Sequence, residues 1–448
     1  MTDTEVLVER IYRQSKHIST IERDNAITGI LDFIATTYSA NNHHKVNDLI
    51  HFIQEEEGSG NASIIGYDAQ LSPSNAALVN GFIAHILDFD DVHSSMRGHP
   101  TAVILPSLLA VAENDTHTFK HFIDSYIIGV EMATQIGETI GAHHYEQGWH
   151  STSTIGLLSA TAACCYYLNL DVPSFANAIG IAVTQASGLR NQFGSDVKPF
   201  HVGLASQKAY LAARISQKRV LEGNNNMMAA FYELFGTSNR SFTHIIENFG
   251  DQWSITHPGM WYKLYPCCSA NYHLIDAINT IKQAHHISQE KVESVKITFP
   301  TKGDAALKFK SPETGLEGAF SAEYVSALLL LDQELTVDQF LNKPISHDVK
   351  QIMKKIVRHY DDDIQPSPHA LPKNRFTIVE ITLVTGEHFK QRVDAPKGSP
   401  YKPLTKDEHL TKLKHASYKH WENIKMFSMK LKILKCYKTI YLKETYKI

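Results

Sequence analysis

From the N-terminus to about Gly250, apolar residues return at intervals of three and four positions. One such series contains Ile27, Ile30 and Ile34, and a longer series extends over Phe119–Ile136. Because this spacing places apolar side chains on one face of a helix, it predicts amphipathic α-helices. We therefore interpret the first half of the chain as a bundle of helices.

Two of these helices have recognisable starts. Ser72-Pro73-Ser74 precedes a helix predicted over Asn75–Asp88, and Asp171 with Pro173 precedes a helix predicted over Ser174–Ala186. Short polar side chains cap helix starts, and proline is tolerated in the first turn because its missing N–H is not needed there.

In the second half of the chain, apolar and polar residues alternate in short segments. Alternation of this kind predicts half-buried β-strands over Val292–Phe299 and Arg375–Val384. The second strand leads into Thr385–His388, which is typical of a hairpin turn. Helical periodicity returns over Ser321–Leu331 and Asp348–His359. Strands and helices without regular βαβ alternation indicate an α+β domain.

These patterns divide the chain into three segments. We predict a helical domain over residues 1–258, an α+β domain over 259–395, and a C-terminal segment over 396–448 that returns to the helical domain. After Met426 this segment carries six lysines and one acidic residue, Glu444. A basic run at a terminus is more typical of a solvated helix or a frayed end than of an arm that binds nucleic acid.

Composition and charge narrow the functional classes. The 448 residues include 43 Lys and Arg against 47 Asp and Glu, for a net charge of −4. This balance argues against a protein that binds nucleic acid or a membrane surface through bulk charge. No apolar stretch is long enough to span a bilayer, and we expect a soluble cytoplasmic protein.

The cysteines and glycines exclude several cofactors. Four of the five cysteines form the adjacent pairs Cys164-Cys165 and Cys267-Cys268, which give neither a disulfide framework nor a C-x-x-C metal motif. We interpret them as reduced thiols. The chain has no G-K-[ST] sequence, so nucleotide binding has little support.

The segment from Leu87 to Pro100 concentrates polar residues at the predicted end of a helix, as binding and catalytic sites commonly do. Its carboxylates, histidines and arginine are Asp88, Asp90, Asp91, His93, His99 and Arg97. Three interpretations are open: a helix cap with exposed ion pairs, a site for a divalent cation such as Mg²⁺, and an acid–base site without a cofactor. We favour the third, because no partner motif with matching ligand spacing accompanies the carboxylates.

Three further clusters combine Lys or His with glycine, proline or aromatic residues. They are Gly148–Thr152 with His150, Gly194–Gly203 with Lys198 and His201, and Trp261–Cys268 with Lys263. We interpret the second cluster as a turn, and we expect the third to face a cleft between domains. A single Lys or His of this kind is more typical of a surface charge or a structural histidine, but four such clusters together favour a site.

These segments resemble, in order, the sequence boxes of the MmgE/PrpD family. The boxes are LDFDD…GHP at 87–100, G-W-H-x-T at 148–152, K-x-x-H-x-G at 198–203, K-x-Y-P-C at 263–267, and Phe320-Ser321-Ala322-Glu323-Tyr324. The resemblance extends over about residues 5–425. Each box is weak alone, and the five in order are a strong family signal.

The resemblance implies a mainly α fold, in which both chain ends form a large all-helical domain and a smaller α+β lid domain is inserted between them. It also implies a homodimer that binds a small polycarboxylate without a metal or another cofactor. By resemblance, the catalytic residues are Asp88, His99, His150, Lys198, Lys263 and Tyr324, and the substrate-binding residues are Lys198, Lys263, His201 and Cys268. Val92 and Cys268 stand where a threonine and a histidine are expected from cis-aconitate decarboxylases.

The function implied by the resemblance is that of a lyase, either a dehydratase or a decarboxylase, for an acid such as 2-methylcitrate or cis-aconitate. Breaking a bond next to a carboxylate adds negative charge to an anionic substrate, and Lys198 and Lys263 are expected to stabilise that charge. His99 or His150 is expected to exchange the proton, because an imidazole titrates near neutral pH.

Two roles and two alternatives complete this prediction. Tyr324 is expected to donate a proton, and Asp88 to orient a histidine. An epimerase of an iminodisuccinate-like dicarboxylate is an alternative, because it passes through a similar charged intermediate. A non-catalytic carboxylate-binding homologue is another, because of the substitutions at Val92 and Cys268.

Overall fold

The computed structural model describes residues 1–41, 43–113, 117–236 and 242–417. The fold is mainly α-helical, as predicted. Within those ranges, no helix is both long enough and apolar enough to cross a membrane. The basic run after Met426 lies outside the described residues.

Seventeen α-helices occur in the described parts of the chain. They are α1 (Asp3–Gln14), α2 (Thr20–Ser39), α3 (His44–Glu57), α4 (Pro73–His85), α5 (Pro100–Ala112), α6 (Phe119–Ile140), α7 (Ala142–Glu146), α8 (Ser151–Tyr167), α9 (Val172–Val183), α10 (Val197–Gln217), α11 (Met227–Phe235), α12 (Thr243–Asn248), α13 (Tyr272–His285), α14 (Gly315–Gly318), α15 (Ala322–Leu330), α16 (His347–Met353) and α17 (Lys406–Ser417).

The predicted helix starts are confirmed by their caps. The Ser72 side chain accepts a hydrogen bond from Asn75 N at the start of α4, and the Asp171 side chain accepts one from Ser174 N at the start of α9. Each cap satisfies an N–H that has no partner within the helix. Both helices end three residues earlier than predicted, at His85 and Val183.

The second half of the chain contains a four-stranded sheet in the order β4-β3-β5-β6. The six strands of the described chain are β1 (Ala62–Ser63), β2 (Gln70–Leu71), β3 (Val292–Phe299), β4 (Ile356–Tyr360), β5 (Thr377–Leu383) and β6 (His388–Val393). The central pair β3 and β5 is antiparallel, with Ile297 opposite Val379, and the predicted hairpin joins β5 to β6. Helices α13 and α15 pack beside this sheet.

The prediction of a helix over Asp348–His359 is wrong in its second half. Helix α16 ends at Met353, and β4 then pairs in parallel with the edge of β3. Residues such as Ile356 and Val357 favour strands because their branched side chains fit a pleated surface. The partner strand, β3, lies about 60 residues earlier in the chain, so a pattern read over neighbouring residues does not show the pairing.

The prediction of a turn over Gly194–Gly203 is also wrong in its larger part. Helix α10 begins at Val197, so Lys198, His201 and Gly203 are all helical. Pro199 does not break the helix because it lies in the first turn, where its N–H is not required.

Two main clusters of buried apolar side chains lie behind these elements. One joins the helices of the first half and also contains Leu413 and Ala416 of α17. The other joins the sheet, α13 and α15, and includes Val92 and Phe193 from the first half. The two halves therefore share packed residues, and a cavity opens where they meet.

Candidate active site

A cavity of about 590 Å³ is lined by residues from both halves of the chain. Five of the predicted site residues line it, namely Asp88, His99, His150, Lys198 and Cys268. Val92, the other departure from the family pattern, also lines it. A concave site of this size that gathers titratable side chains is the usual form of a small-molecule site.

Asp88 is the centre of the charged groups in this cavity. It follows the end of α4 with a φ of 48°, in the left-handed region that Asp tolerates better than most residues. Its Oδ1 accepts hydrogen bonds from Lys198 Nζ at 3.0 Å and from Lys263 Nζ at 2.9 Å. Burial alone would raise the pKa of Asp88, but the two ammonium groups hold it well below the usual range.

The two lysines occupy different positions around this carboxylate. Lys198 lies in the first turn of α10, lines the cavity, and has its ammonium 4.9 Å from the ring centroids of both Phe193 and Phe320. Its bond to Asp88 leaves other N–H groups for a ligand. Lys263 is fully buried and also donates to the Asp88 carbonyl at 2.6 Å.

His99 lies between two carboxylates. Its Nε2 is 3.6 Å from Asp88 Oδ1, and its Nδ1 is 3.2 Å from Asp90 Oδ2. Asp90 also lies 2.8 Å from Nδ1 of the fully buried His85. Burial raises the pKa of Asp90, but His85 and His99 hold it well below its usual value. Asp90 thus lies between two imidazoles and contributes a negative charge beside each of them.

His150 presents an unpaired nitrogen at the cavity. It precedes the first residue of α8, and its Nδ1 is 3.4 Å from His201 Nδ1. Its Nε2 is buried and has no hydrogen-bond partner among the described residues. Burial, with further contributions from His85 and Lys198, lowers the pKa of His150 well below its usual value. The imidazole is thus neutral at pH 7.

Three predicted residues do not line the cavity. Lys263 faces Asp88, and His201 lies behind His150. The Tyr324 hydroxyl donates to the Gln339 carbonyl at 2.6 Å. None of the three touches the cavity in this structure, so direct contact between these side chains and a substrate remains a prediction.

The sequence analysis missed His85 and Arg375 and named Asp90 and Arg97 only as members of the segment from Leu87 to Pro100, without a role in the site. His85 and Asp90 support His99, and Arg97 and Arg375 line the cavity. The spacing His85-x-x-Asp88-x-Asp90 was a readable signal, because it concentrates three titratable side chains at one helix end. Arg375 was counted only as the start of a strand, and nothing in its local sequence indicates a cavity.

The loop after α4 is fixed from several directions. Val92 and Trp261 exchange two backbone hydrogen bonds of 2.8 and 2.9 Å. The Phe89 carbonyl accepts hydrogen bonds from Thr36 Oγ1 at 3.2 Å and from Lys412 Nζ at 2.9 Å. These contacts hold Asp88 and its neighbours in one position, which preorganises the charged groups.

The side chains of His85, Asp88, Asp90 and His99 bring potential metal-ligand atoms within 4.8 Å of one another. Two features of this structure disagree with a cation there. Asp88 already accepts from Lys198 and Lys263, and a metal ion would be repelled by both ammonium groups. The group is therefore better explained as two carboxylates balanced by two lysines.

Comparisons with known proteins identify a family. A family model described as the MmgE/PrpD N-terminal domain matches residues 13–236, and one described as the MmgE/PrpD C-terminal domain matches residues 265–425. The chain is 26% identical to the cis-aconitate decarboxylase-like protein oryM of Aspergillus oryzae, over 80% of this chain and 78% of that protein. It is 25% identical to the cis-aconitate decarboxylases of Mus musculus (78% and 72%) and Aspergillus terreus (76% and 74%).

Proposed function

Because this chain belongs to the MmgE/PrpD family, we propose that it is a lyase of small polycarboxylic acids that works without a cofactor. In this proposal it removes water or CO₂ next to a carboxylate of an acid such as cis-aconitate or 2-methylcitrate. The names of the three relatives support an acid of the cis-aconitate type.

The observation that carries this proposal is the position of Lys198 beside Asp88 in the cavity. Asp88 and Asp90 are balanced by Lys198 and Lys263, so an anionic substrate meets no excess of negative charge at this wall. When a bond next to a carboxylate breaks, the added negative charge lies close to the ammonium of Lys198. A fixed charge in a site of low polarity is commonly the largest single contribution to catalysis.

The histidines provide the proton transfer in this proposal. If His150 Nδ1 donates to His201, His150 Nε2 keeps a lone pair without a hydrogen-bond partner among the described residues and can accept a proton. A neutral imidazole is the form required of a base, and the lowered pKa of His150 provides it. In a dehydration, His150 takes the proton from the carbon next to the carboxylate and His99 protonates the leaving hydroxyl. In a decarboxylation, no proton is removed, and His99 delivers one to the carbon that loses CO₂. Lys263 acts as a positioning residue for Asp88.

We extend the proposal to the domain arrangement and the assembly. In this proposal residues 1–258 and the described part of the C-terminal segment 396–448 belong to the helical domain, and residues 259–395 belong to the lid; residues 418–448 lie outside the described residues. The burial of Leu413 and Ala416 in the helical core supports the return of the C-terminal segment. A homodimer follows from the family resemblance, and light scattering on the purified protein tests it. The proposed cytoplasmic location follows from the sequence pattern and the cysteines.

The test is to incubate the protein in D₂O with cis-aconitate, citrate, 2-methylcitrate and iminodisuccinate and to follow each acid by proton NMR. We expect one acid to lose CO₂ or water, and the Lys198→Ala variant to reduce kcat about 10²–10³-fold. The control is Lys218→Ala, which removes an exposed lysine at the other end of the same helix. Deuterium uptake with inversion would establish an epimerase instead. No reaction of any acid would contradict the proposal.

A further inference from the structure

The cavity contains two arginines that the proposed reaction does not use. Arg97 comes from the loop between α4 and α5, and Arg375 immediately precedes β5. Both side chains line the cavity. Neither guanidinium makes a hydrogen bond or an ion pair with any residue in the described ranges. A guanidinium is always charged in a protein and offers five N–H donors, so each is a candidate for binding an anion.

An arginine of this chain whose side chain is buried is compensated by carboxylates. Arg358 on β4 has a side chain only 3% exposed, and it pairs with Glu323 at 2.6 Å and with Asp304 at 2.8 Å. Burial lowers the pKa of Arg358, but these two carboxylates raise it above its usual value. Charged groups in protein interiors are normally paired in this way, because an unpaired charge away from water is costly.

Arg97 is exposed and Arg375 is half-buried, and neither forms an ion pair with a carboxylate in the described residues. Burial lowers the pKa of Arg375, and the positive charge of Arg97 lowers it further. Both arginines interact electrostatically with the Tyr145 hydroxyl, which lines the same cavity. Glu146 is the acidic side chain nearest to Arg97, but it is exposed and lies beyond ion-pair distance. Two unpaired cations on one cavity wall are stabilised when an anion binds between them.

Cys268 connects these arginines with the reacting wall. It lines the same cavity, and its thiol interacts electrostatically with both Lys198 and Arg375. A ligand that occupies the cavity beside Cys268 therefore meets two cationic groups, Lys198 and the arginine pair. A molecule with carboxylates at both ends of a short carbon chain has the charge pattern to match both.

We propose that Arg97 and Arg375 form a second anion subsite that binds the distal carboxylate of a tricarboxylate substrate. The inference rests on the proposed function, and it narrows the substrate class from di- and tricarboxylates to tricarboxylates. A dicarboxylate that occupies the wall beside Lys198 leaves the arginine pair unfilled. The two arginines are thus specificity-determining residues. Arg97 lies within the box at 87–100 but is not one of its defining residues, and Arg375 lies outside all five boxes.

The test uses two saturated acids that carry neither a hydroxyl group to lose as water nor the double bond of cis-aconitate, so that binding is measured without turnover. Isothermal calorimetry compares tricarballylate, with three carboxylates, and glutarate, with two. We expect Arg375→Gln and Arg97→Gln each to weaken tricarballylate binding roughly ten- to hundredfold, which corresponds to the loss of charge-assisted hydrogen bonds. Glutarate binding changes less than about twofold, because it does not use the subsite.

Two variants make the comparison specific. Arg375→Lys keeps the charge but loses the forked geometry, so it restores tricarballylate binding only in part. Arg13→Gln changes an exposed arginine on α1, far from the cavity, and leaves the affinity for both acids unchanged. Thermal melting of each variant confirms that it is folded, and Arg97→Gln carries the test if Arg375→Gln does not fold.

Several results would overturn the subsite. These are tricarballylate binding that does not depend on either arginine, equal losses for glutarate, and inorganic phosphate binding as tightly as tricarballylate with the same dependence on Arg375. The outcome is separable from that of the proposed function. Arginine-dependent tricarballylate binding without turnover of any acid rejects the lyase and keeps the subsite, whereas turnover with unchanged specificity in both arginine variants does the reverse.

Discussion

At the scale of single residues, His93 shows how geometry fixes a protonation state. Its ring is fully buried, with Nε2 3.2 Å from the Ser254 carbonyl and Nδ1 accepting from Ser95 N at 3.3 Å. One nitrogen donates and the other accepts, which requires the neutral imidazole. Burial lowers the pKa of His93 to about 4. A histidine in the unfolded chain has a pKa of about 6.5.

This difference makes stability depend on pH. As the pH falls below about 6.5, His93 binds a proton in the unfolded chain but stays neutral in the folded protein. The free energy of unfolding therefore decreases as the pH falls from about 6.5 to about 4. We expect His93→Asn to reduce the slope of unfolding free energy against pH by about 1.4 kcal/mol per unit near pH 5. Urea unfolding at a series of pH values measures the slope, with His51→Asn as the control on an exposed histidine. Equal slopes for both variants and the wild type would contradict the assignment.

Residue types and motif order were sufficient to predict much of the site. Asp88, His99, His150 and Lys198 all line one cavity although they lie in three separate segments. The direction of a side chain was not predictable, because it depends on packing between distant elements. Lys263 belongs to a predicted box, yet its ammonium is directed at Asp88 and away from the cavity.

At the scale of elements, Gly203 allows α10 to approach α4. A Cβ at this position would lie 2.4 Å from the Leu78 carbonyl oxygen, which belongs to the backbone and cannot move aside alone. We expect Gly203→Ala to lower the melting temperature, because overpacking costs about 1–3 kcal/mol and outweighs the roughly 0.5–1 kcal/mol gained in helix propensity. Lys198 lies on the same helix, so kcat falls as well.

The control for this prediction is Gly223→Ala. Its nearest neighbour would be Asn177 Oδ1 at 3.6 Å, an ordinary contact. Differential scanning calorimetry compares the two variants. An unchanged or higher melting temperature for Gly203→Ala would show that the helices separate without cost.

The elements themselves were predictable where the signal is local. Caps such as Ser72 and alternation over Val292–Phe299 gave elements at the right places. The predictions failed where a distant partner decides. Ile356–Tyr360 is a strand because it pairs with β3. Residues 197–203 are helical, although a proline such as Pro199 is common in turns.

At the scale of the whole molecule, Lys412 joins the C-terminal helix to the centre of the helical half. Its ammonium is buried, pairs with Asp32 at 2.8 Å, and donates to the Phe89 carbonyl. We expect Lys412→Met to lower the free energy of unfolding by about 3–5 kcal/mol, because Asp32 then keeps a buried charge without a partner. Chemical denaturation measures the loss. The variant also reduces kcat, because the loop that carries Asp88 loses one support.

Two further variants test this explanation. Lys414→Met changes an exposed lysine on the same helix and leaves the stability nearly unchanged. Adding Asp32→Leu to Lys412→Met removes both charges and restores much of the stability, since apolar side chains tolerate the site. Failure of the double variant to recover would assign the loss to packing of Lys412 instead of its charge.

The division into a helical half and a mixed half was predictable from the change of period along the chain. The pairing of Lys412 with Asp32 was not, because no local pattern relates two charges that are 380 residues apart. Such pairs are decided by the assembled fold.

That separation in sequence also sets an order of events during synthesis. Segments near the N-terminus are made and begin to fold first. Asp32 is therefore translated long before its partner, Lys412, and lacks this ion pair until then. The Phe89 carbonyl lacks its hydrogen bond from the same ammonium for the same time. The active site reaches its final form only when α17 leaves the ribosome. A nascent chain is thus inactive until α17 has been translated.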